Sequence, residues 1–184
     1  MKITNYLLSI CIPTYNRFNY LTELVEDIFS QHGYSTSTIE LIIAQDRFKD
    51  GQFCKKTEEY GKALEASFEN ITYNLTSKNL GLAGNWNNCV NLAKGEYCII
   101  LGDDDLFVEG ALSTYLDLIA RSNADIIFSN HLLIDDKGEV LENSYSNNEK
   151  FNRGDLNEGI LLDPEKNIWQ NAIPISTSAI KTFF

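Results

Sequence analysis

The chain has 184 residues, of which 43% are hydrophobic and 22% charged, and a net charge of -11 at pH 7. That length suits one domain with a real core, and the composition is that of an ordinary globular protein. So acidic a surface repels a long polyanion, which excludes general nucleic-acid binding. No apolar run approaches the roughly 18 residues of a membrane span. Met1 to Tyr6 lacks the basic start and cleavage signal of a secretory peptide. The expected location is therefore the cytoplasm, with peripheral contact at the inner membrane face left open. Cys11, Cys54, Cys89 and Cys98 contain no CxxC pair and read as small hydrophobes in a reducing compartment.

In chain order, Leu7 to Pro13 is a short apolar run ended by proline, which predicts a buried strand. Thr14-Tyr15-Asn16 follows as a loop. From Arg17 to Gln31, Leu21, Leu24, Val25 and Ile28 recur at helical spacing, and His32-Gly33 ends the helix. Ile39 to Ala44 predicts a second strand, Gln45 to Gly51 a polar loop, Lys55 to Phe68 a second helix and Ile71 to Leu75 a third strand. Asn79 to Gly84 reads as a loop, Asn85 to Lys94 as a third helix ended by Gly95, and Glu96 to Leu101 as a fourth strand. Beyond it, Gly110 to Arg121 predicts a helix, Asp125 to Asn130 a strand, and Leu132 to Leu141 a hairpin turning at Asp135-Asp136-Lys137-Gly138. Ser144 to Asn157 reads as a polar, mobile loop.

Strands and helices alternate, and the connections are long enough for right-handed crossovers. The expectation is an α/β fold with a mostly parallel sheet flanked by helices. Ligands on such sheets bind outside the carboxyl ends of the strands. The loops 13–16, 45–51, 78–85 and 103–105 all fall at that edge and should meet in one crevice.

Asp103-Asp104-Asp105 stands directly after the fourth strand. Three adjacent carboxylates repel one another unless a cation is near. Mg²⁺ or Mn²⁺ prefers oxygen ligands, and a hard cation of this kind uses one or two carboxylates together with water and substrate phosphates. The D-x-D spacing of Asp103 and Asp105 suits a metal held beside a diphosphate. The plainer alternative is a solvated acidic turn.

Three motifs, in order, resemble the inverting glycosyltransferases of family 2, which have the GT-A fold. They are Ser9-Ile10-Cys11-Ile12-Pro13-Thr14-Tyr15-Asn16-Arg17, then Asn79-Leu80-Gly81-Leu82-Ala83-Gly84-Asn85, then Gly95-Glu96-Tyr97 leading into Leu101-Gly102-Asp103-Asp104-Asp105. The resemblance covers roughly residues 7 to 130. It implies a metal-dependent transfer, with inversion, of a sugar from a UDP-type nucleotide-sugar to a glycan or lipid-linked acceptor, in the setting of polysaccharide assembly.

The resemblance also implies residue roles. Pro13, Thr14, Tyr15 and Asn16 would line the nucleotide pocket, with Tyr15 near base and ribose. Lys78, Asn79, Gly81 and Asn85 would lie by base and diphosphate. Asp105 would hold the metal with Asp103 completing the D-x-D, and Asp104 would contact ribose or sugar. Gln45 stands where the family usually carries an acidic residue, so either Asp46 substitutes or Gln45 meets the base as an amide. Gly102 stands where an aspartate is common. Arg17 reads as a surface residue at a helix start, with a diphosphate contact as the alternative.

An inverting transfer needs a carboxylate base. In the family it lies well after the acidic motif, so here it is expected beyond Phe184. Asp155, Glu158 and Asp163 are carboxylates in the second half but carry no motif around them. Ile173 to Ser178 resembles the acceptor-side strand that precedes the base. The chain thus reads as one domain, 1–184, with 1–105 for the donor and 106–184 as the start of an acceptor-side part. A binding-only nucleotide-sugar module without the base is the alternative. A sugar nucleotidyltransferase is disfavoured, because that class has a basic, glycine-rich loop where this chain has Pro13 to Asn16. His131 reads as structural and Trp169 as a core aromatic.

Overall fold

The computed structural model describes residues 6–154 and 156–182. Six strands form one sheet in the order β3-β2-β1-β4-β6-β5. They are β1 (Leu8–Thr14), β2 (Ile39–Gln45), β3 (Ile71–Leu75), β4 (Tyr97–Ile100), β5 (Ile126–Phe128) and β6 (Ser178–Lys181). β1 pairs parallel with β2 and with β4, and β2 pairs parallel with β3. β6 runs antiparallel to β4, which makes the sheet mixed. The helices are α1 (Phe18–Ser30), α2 (Lys55–Ser67), α3 (Gly81–Leu92), α4 (Ala111–Arg121), α5 (Ser144–Lys150) and α6 (Pro164–Trp169).

The period-two pattern of the strands sorts side chains onto two faces. Leu8, Ile10, Ile12, Leu41, Ile43 and Ile99 pack with α1, α2 and α4 through Leu21, Leu24, Leu64, Leu112 and Ile119. Cys11, Ile42, Ala44 and Cys98 pack on the other face with Cys89 of α3. Each fully buried aliphatic side chain on these faces contributes about 1.5–3 kcal/mol relative to exposure. Burial also pushes the Cys89 thiol up to about 12 and raises those of Cys11 and Cys98. These three cysteines are inert hydrophobes, as their apolar surroundings in the sequence suggest.

Two glycines mark close approaches. A Cβ on Gly61 in α2 would come 2.2 Å from the Tyr73 ring on β3. One on Gly95 would lie 2.7 Å from the backbone nitrogen of Ser9. Gly95 N donates to Ser9 Oγ at 2.8 Å, and Ser9 Oγ donates to the buried Glu40 at 2.6 Å. The Gly95-Glu96-Tyr97 motif therefore belongs to the amino edge of the sheet, where backbone meets backbone.

Four sequence expectations are corrected. Residues 81–84 are helical, not loop, because a cap from β2 starts α3 early, as described below. Residues 144–150 form α5, with Asn147 and Asn148 buried, where a mobile loop was expected. Its polar residues turn inward to hydrogen-bond, so their hydrophilicity does not signal exposure. The strand expected at 173–178 begins instead at Ser178. The hairpin expected at 132–141 is reduced to one antiparallel bridge, Ile134 with Val140, closed where Asp135 Oδ1 accepts from Lys137 N and Glu139 N.

The chain divides into two compact units: residues up to Ile127 together with those from Ala179, and Phe128–Ser178. The first holds the sheet's parallel strands and the loops after them. The second holds α5, α6 and the 135–138 turn. No helix among the described residues is long and apolar enough to cross a membrane.

Candidate functional site

Four loops leave the carboxyl ends of β1 to β4, and side-chain contacts tie them together. Tyr15 packs edge-on against Phe48 at 5.2 Å between ring centres, joining the first loop to the second. Asn16 takes a left-handed backbone, φ 55°, which asparagine tolerates better than most residues. This turns the chain from β1 into α1 and puts Arg17 over the fourth loop. Arg17 Nη1 pairs closely with Asp104 Oδ2 and lies 3.4 Å from Asp103 Oδ1.

The second and third loops are joined through Asp46. Its buried carboxylate accepts from Leu80 N at 2.9 Å, Gly81 N at 2.9 Å, the Thr76 hydroxyl at 2.8 Å and Arg47 N at 3.0 Å. The first α3 amides are thereby capped by a residue more than thirty positions upstream, which is why the helix begins at Gly81. Gly81 has φ 70°, a conformation glycine takes without strain. Arg47 fastens the same corner, donating to Thr76 O at 2.8 Å and Gly51 O at 2.9 Å and covering the Phe53 ring.

The expected binding residues separate by how far their polar atoms are already engaged. Gln45 is fully buried; its amide donates to Cys54 O at 2.9 Å and its oxygen accepts from Tyr73 Oη at 2.6 Å. Asn85 is buried and donates to Ala44 O at 2.8 Å. Asn79 donates to Arg47 O. These side chains, with Asp46, hold the loops in place. Pro13 is half-buried and Thr14 buried, while Tyr15, Asn16, Lys78 and Gly81 are exposed at the edge.

The acidic residues form a tight turn, with Asp105 N donating to Gly102 O at 3.1 Å. Asp103 points inward and is 5% exposed, whereas Asp104 and Asp105 face solvent. Burial pushes the Asp103 pKa above its ordinary value, against the opposing pull of Thr14 and Arg17. The Thr14 hydroxyl is near enough to favour the ionised form, but its geometry is not that of a formed hydrogen bond, and Asp103 Oδ2 is buried without a partner. A Cβ on Gly102 would meet Asp105 Oδ2 at 2.9 Å and Asp104 Oδ1 at 3.1 Å, so both carboxylates fold back over this residue. Glycine here leaves room for that arrangement.

This donor set fits a hard divalent cation. It offers carboxylate oxygens, one of them buried and unpartnered, in a turn whose charge Arg17 now offsets. Among the described residues no three carboxylate, histidine or cysteine side chains converge into a metal cage. A Mg²⁺-like site needs only one or two carboxylates, with water and substrate phosphates completing the shell.

Of the carboxylates considered as a base, Asp163 caps α6, accepting from Lys166 N at 3.2 Å, Glu158 is exposed, and Asp155 lies outside the described residues. Trp169 is 86% exposed, so it is not the core aromatic its apolar neighbours suggested; α6 is one short, solvated turn and buries only Asn167. Arg47 and Thr76 are residues of the site that sequence reasoning missed, and the pairing of Arg17 with the acidic turn was not read either. Arg17 stands inside a quoted motif, but nothing local tells that it reaches an acidic turn 86 residues away.

A mixed sheet with its loops gathered at the carboxyl edge beside an acidic turn defines a GT-A-type nucleotide-sugar fold. The glycosyl transferase family 2 model matches residues 9–179, and the chain belongs to that family. It is 40% identical over 124 residues to the abequosyltransferase RfbV of Salmonella typhimurium, covering 65% of this chain and 34% of the relative. It is 31% identical over 127 residues to the GalNAc(5)-diNAcBac-PP-undecaprenol beta-1,3-glucosyltransferase of Campylobacter jejuni, covering 68% and 38%. The chain thus spans little more than a third of these relatives. The solved S. aureus TarS 1-349 in complex with UDP-GlcNAc shares the fold, with TM-score 0.60, 19% identity and coverage of 75% of this chain and 38% of that one. So does the Pyrobaculum calidifontis mannosyltransferase in complex with GDP-Man and Mn²⁺, with TM-score 0.56, 16% identity and coverage of 71% and 36%.

Proposed function

We propose that this chain forms the donor-binding part of a metal-dependent, inverting glycosyltransferase. It would take a sugar from a UDP-type donor and pass it to a glycan or lipid-linked acceptor. The observation that carries this reading is the acidic turn itself: a buried Asp103 oxygen without a partner, two exposed carboxylates beside it, and Arg17 as their counter-charge. Neighbours of the same fold bind UDP-GlcNAc, or GDP-Man with Mn²⁺, and one relative's name specifies an undecaprenol-linked acceptor.

In this reading Asp105 and Asp103 hold Mg²⁺ or Mn²⁺, which supplies charge neutralisation for the departing nucleoside diphosphate. Asp104 contacts ribose or sugar, and Tyr15 lies against base and ribose. Lys78 and Arg17 face the diphosphate, with Arg17 leaving Asp104 as the donor arrives. Gln45, Asp46 and Asn85 position the loops rather than touch the ligand, because their polar atoms are engaged, and Asn79, whose amide nitrogen donates to Arg47 O, keeps its oxygen for the nucleotide. The attacking hydroxyl needs a carboxylate base, and that role is assigned to none of Asp155, Glu158 or Asp163.

Calorimetry of UDP binding tests the proposal, on wild type and Asp105→Asn, each with and without Mn²⁺. Mn²⁺ is expected to tighten binding to wild type by about tenfold or more and to lose that effect in the variant. Equal UDP affinity in all four titrations would sink the idea.

A further inference from the structure

The acidic turn lies in a stretch of irregular backbone between the end of β4 at Ile100 and the start of α4 at Ala111. Helix α1 meets this stretch at two places. At the start of the helix, Arg17 pairs with Asp104 and Asp103. In its last turn, Asp27 Oδ2 accepts from Phe107 N at 2.9 Å. Gln31, at the C-cap, donates through Nε2 to Phe107 O at 3.3 Å and to Asp27 Oδ1 at 3.2 Å. Both backbone polar groups of Phe107 are therefore held by side chains of one helix end, 76 and 80 residues upstream.

Local rules do not explain Asp27. A carboxylate in the last turn of a helix opposes the helix dipole, and the last turn of α1 carries no basic residue to offset it. The apolar stripe that seats α1 on the sheet is Leu21, Leu24, Val25 and Ile28, and it does not use Asp27. A residue set against its local preference and engaged by a distant peptide points to a role beyond its own helix.

The orientation of Gln31 follows from its neighbours. Asp27 Oδ1 and Phe107 O are both acceptors, so the amide nitrogen must face them and not the amide oxygen. That orientation leaves Gln31 Oε1 buried without a partner, so the two acceptors outweigh it. The Phe107 ring packs on the main core, which fixes its side chain. The bonds from α1 fix its backbone. Asp105 stands two residues before Phe107, within about 7 Å along the chain.

We propose that Asp27 is a positioning residue for the metal: by holding Phe107 it fixes the backbone that carries Asp105. This inference rests on the reading of Asp105 and Asp103 as the metal's ligands. In that reading Arg17 leaves the acidic turn as the donor arrives, so the Phe107 anchor is the contact with α1 that remains in the loaded site. Groups standing behind the ligands in this way set how tightly a metal is held. Asp27 itself touches neither metal nor nucleotide.

The test is calorimetry of UDP binding with and without Mn²⁺, together with the electron paramagnetic resonance of Mn²⁺ in the UDP complex. Both are run on the 184-residue chain and on Asp27→Ala and Asp27→Asn. Asp27→Ala should lower the Mn²⁺ affinity of the UDP complex about tenfold and change the zero-field splitting of the bound ion. Its UDP affinity without metal should match wild type, which a general loosening of the fold would not allow. Asp27→Asn keeps an oxygen for Phe107 N and should hold Mn²⁺ within about threefold of wild type. Should Asp27→Ala fail to fold, Gln31→Leu stands in for it, removing the second bond to Phe107 and lowering Mn²⁺ affinity by a smaller factor. Wild-type Mn²⁺ affinity in Asp27→Ala or its stand-in, equal losses with and without metal, or an Asp27→Asn no better than Asp27→Ala would overturn the inference while the metal reading stands. A wild type whose UDP affinity ignores Mn²⁺ would overturn both.

Discussion

Asp103 is held where an isolated carboxylate is poorly solvated. Burial raises its pKa, so the folded chain holds the proton more tightly than the unfolded chain. That contribution favours the fold at low pH and is lost as pH rises through the folded-state value, leaving ionised Asp103 a cost at neutral pH. Replacing it with the uncharged isostere, Asp103→Asn, should therefore raise the Tm of the ligand-free chain at pH 7, with a smaller gain in acid. Thermal unfolding at two pH values measures this; a lower Tm at pH 7 would mean that the Arg17 contact outweighs desolvation. A stabilising loss of charge at a site is the mark of a residue kept for binding rather than for folding.

The acidic triplet was legible at this scale because three adjacent aspartates after an apolar strand have few structural uses. Arg17 was not, because its partners are set by the left-handed turn at Asn16 and not by its neighbours in sequence. Trp169 misled for the opposite reason: an apolar neighbourhood in sequence did not become an apolar neighbourhood in space.

At the scale of elements, α3 depends on a cap from outside itself. Asp46 accepts from the amides of Leu80 and Gly81 and from the Thr76 hydroxyl, and no side chain at the helix's own N-cap substitutes. Asp46→Ala should destabilise the chain by about 2–3 kcal/mol, since it strands buried donors. Chemical denaturation gives this directly, and a loss under about 0.5 kcal/mol would show the cap to be dispensable. The same change should loosen the loop that carries Lys78 and Asn79, weakening nucleotide binding beyond the stability loss.

Strands β1 to β4 and helices α1 and α4 lay open in the sequence, since each buries a regular apolar stripe; α2 was read at nearly its observed bounds although it buries only Thr57, Gly61 and Leu64. α3 was read four residues short because glycines at 81 and 84 look like loop residues unless the distant carboxylate is known. α5 and α6 lack an apolar stripe; α5 is held by buried asparagines, and α6 by the Asp163 cap and Pro164 at its first turn. Asp163-Pro164 was an available helix-start signal.

At the scale of the whole molecule, the net charge of -11 and the chemistry of the proposed ligand pull against each other. A diphosphate approaching this surface needs local positive charge, and the carboxyl edge supplies it through Arg17, Arg47 and Lys78 beside a turn that suits a divalent ion. The first unit was readable because parallel-sheet topology fixes where its loops must gather. The second unit was not, because its order rests on polar contacts such as Arg153 with His131, which leave no periodic trace.

The most direct test of the central claim is anomalous diffraction at the manganese edge from crystals of the chain grown with UDP and Mn²⁺. One strong peak is expected within coordination distance of Asp105 or Asp103 and beside the UDP diphosphate, with Arg17 released from Asp104. UDP bound away from the acidic turn, or bound there with no anomalous peak, would contradict it.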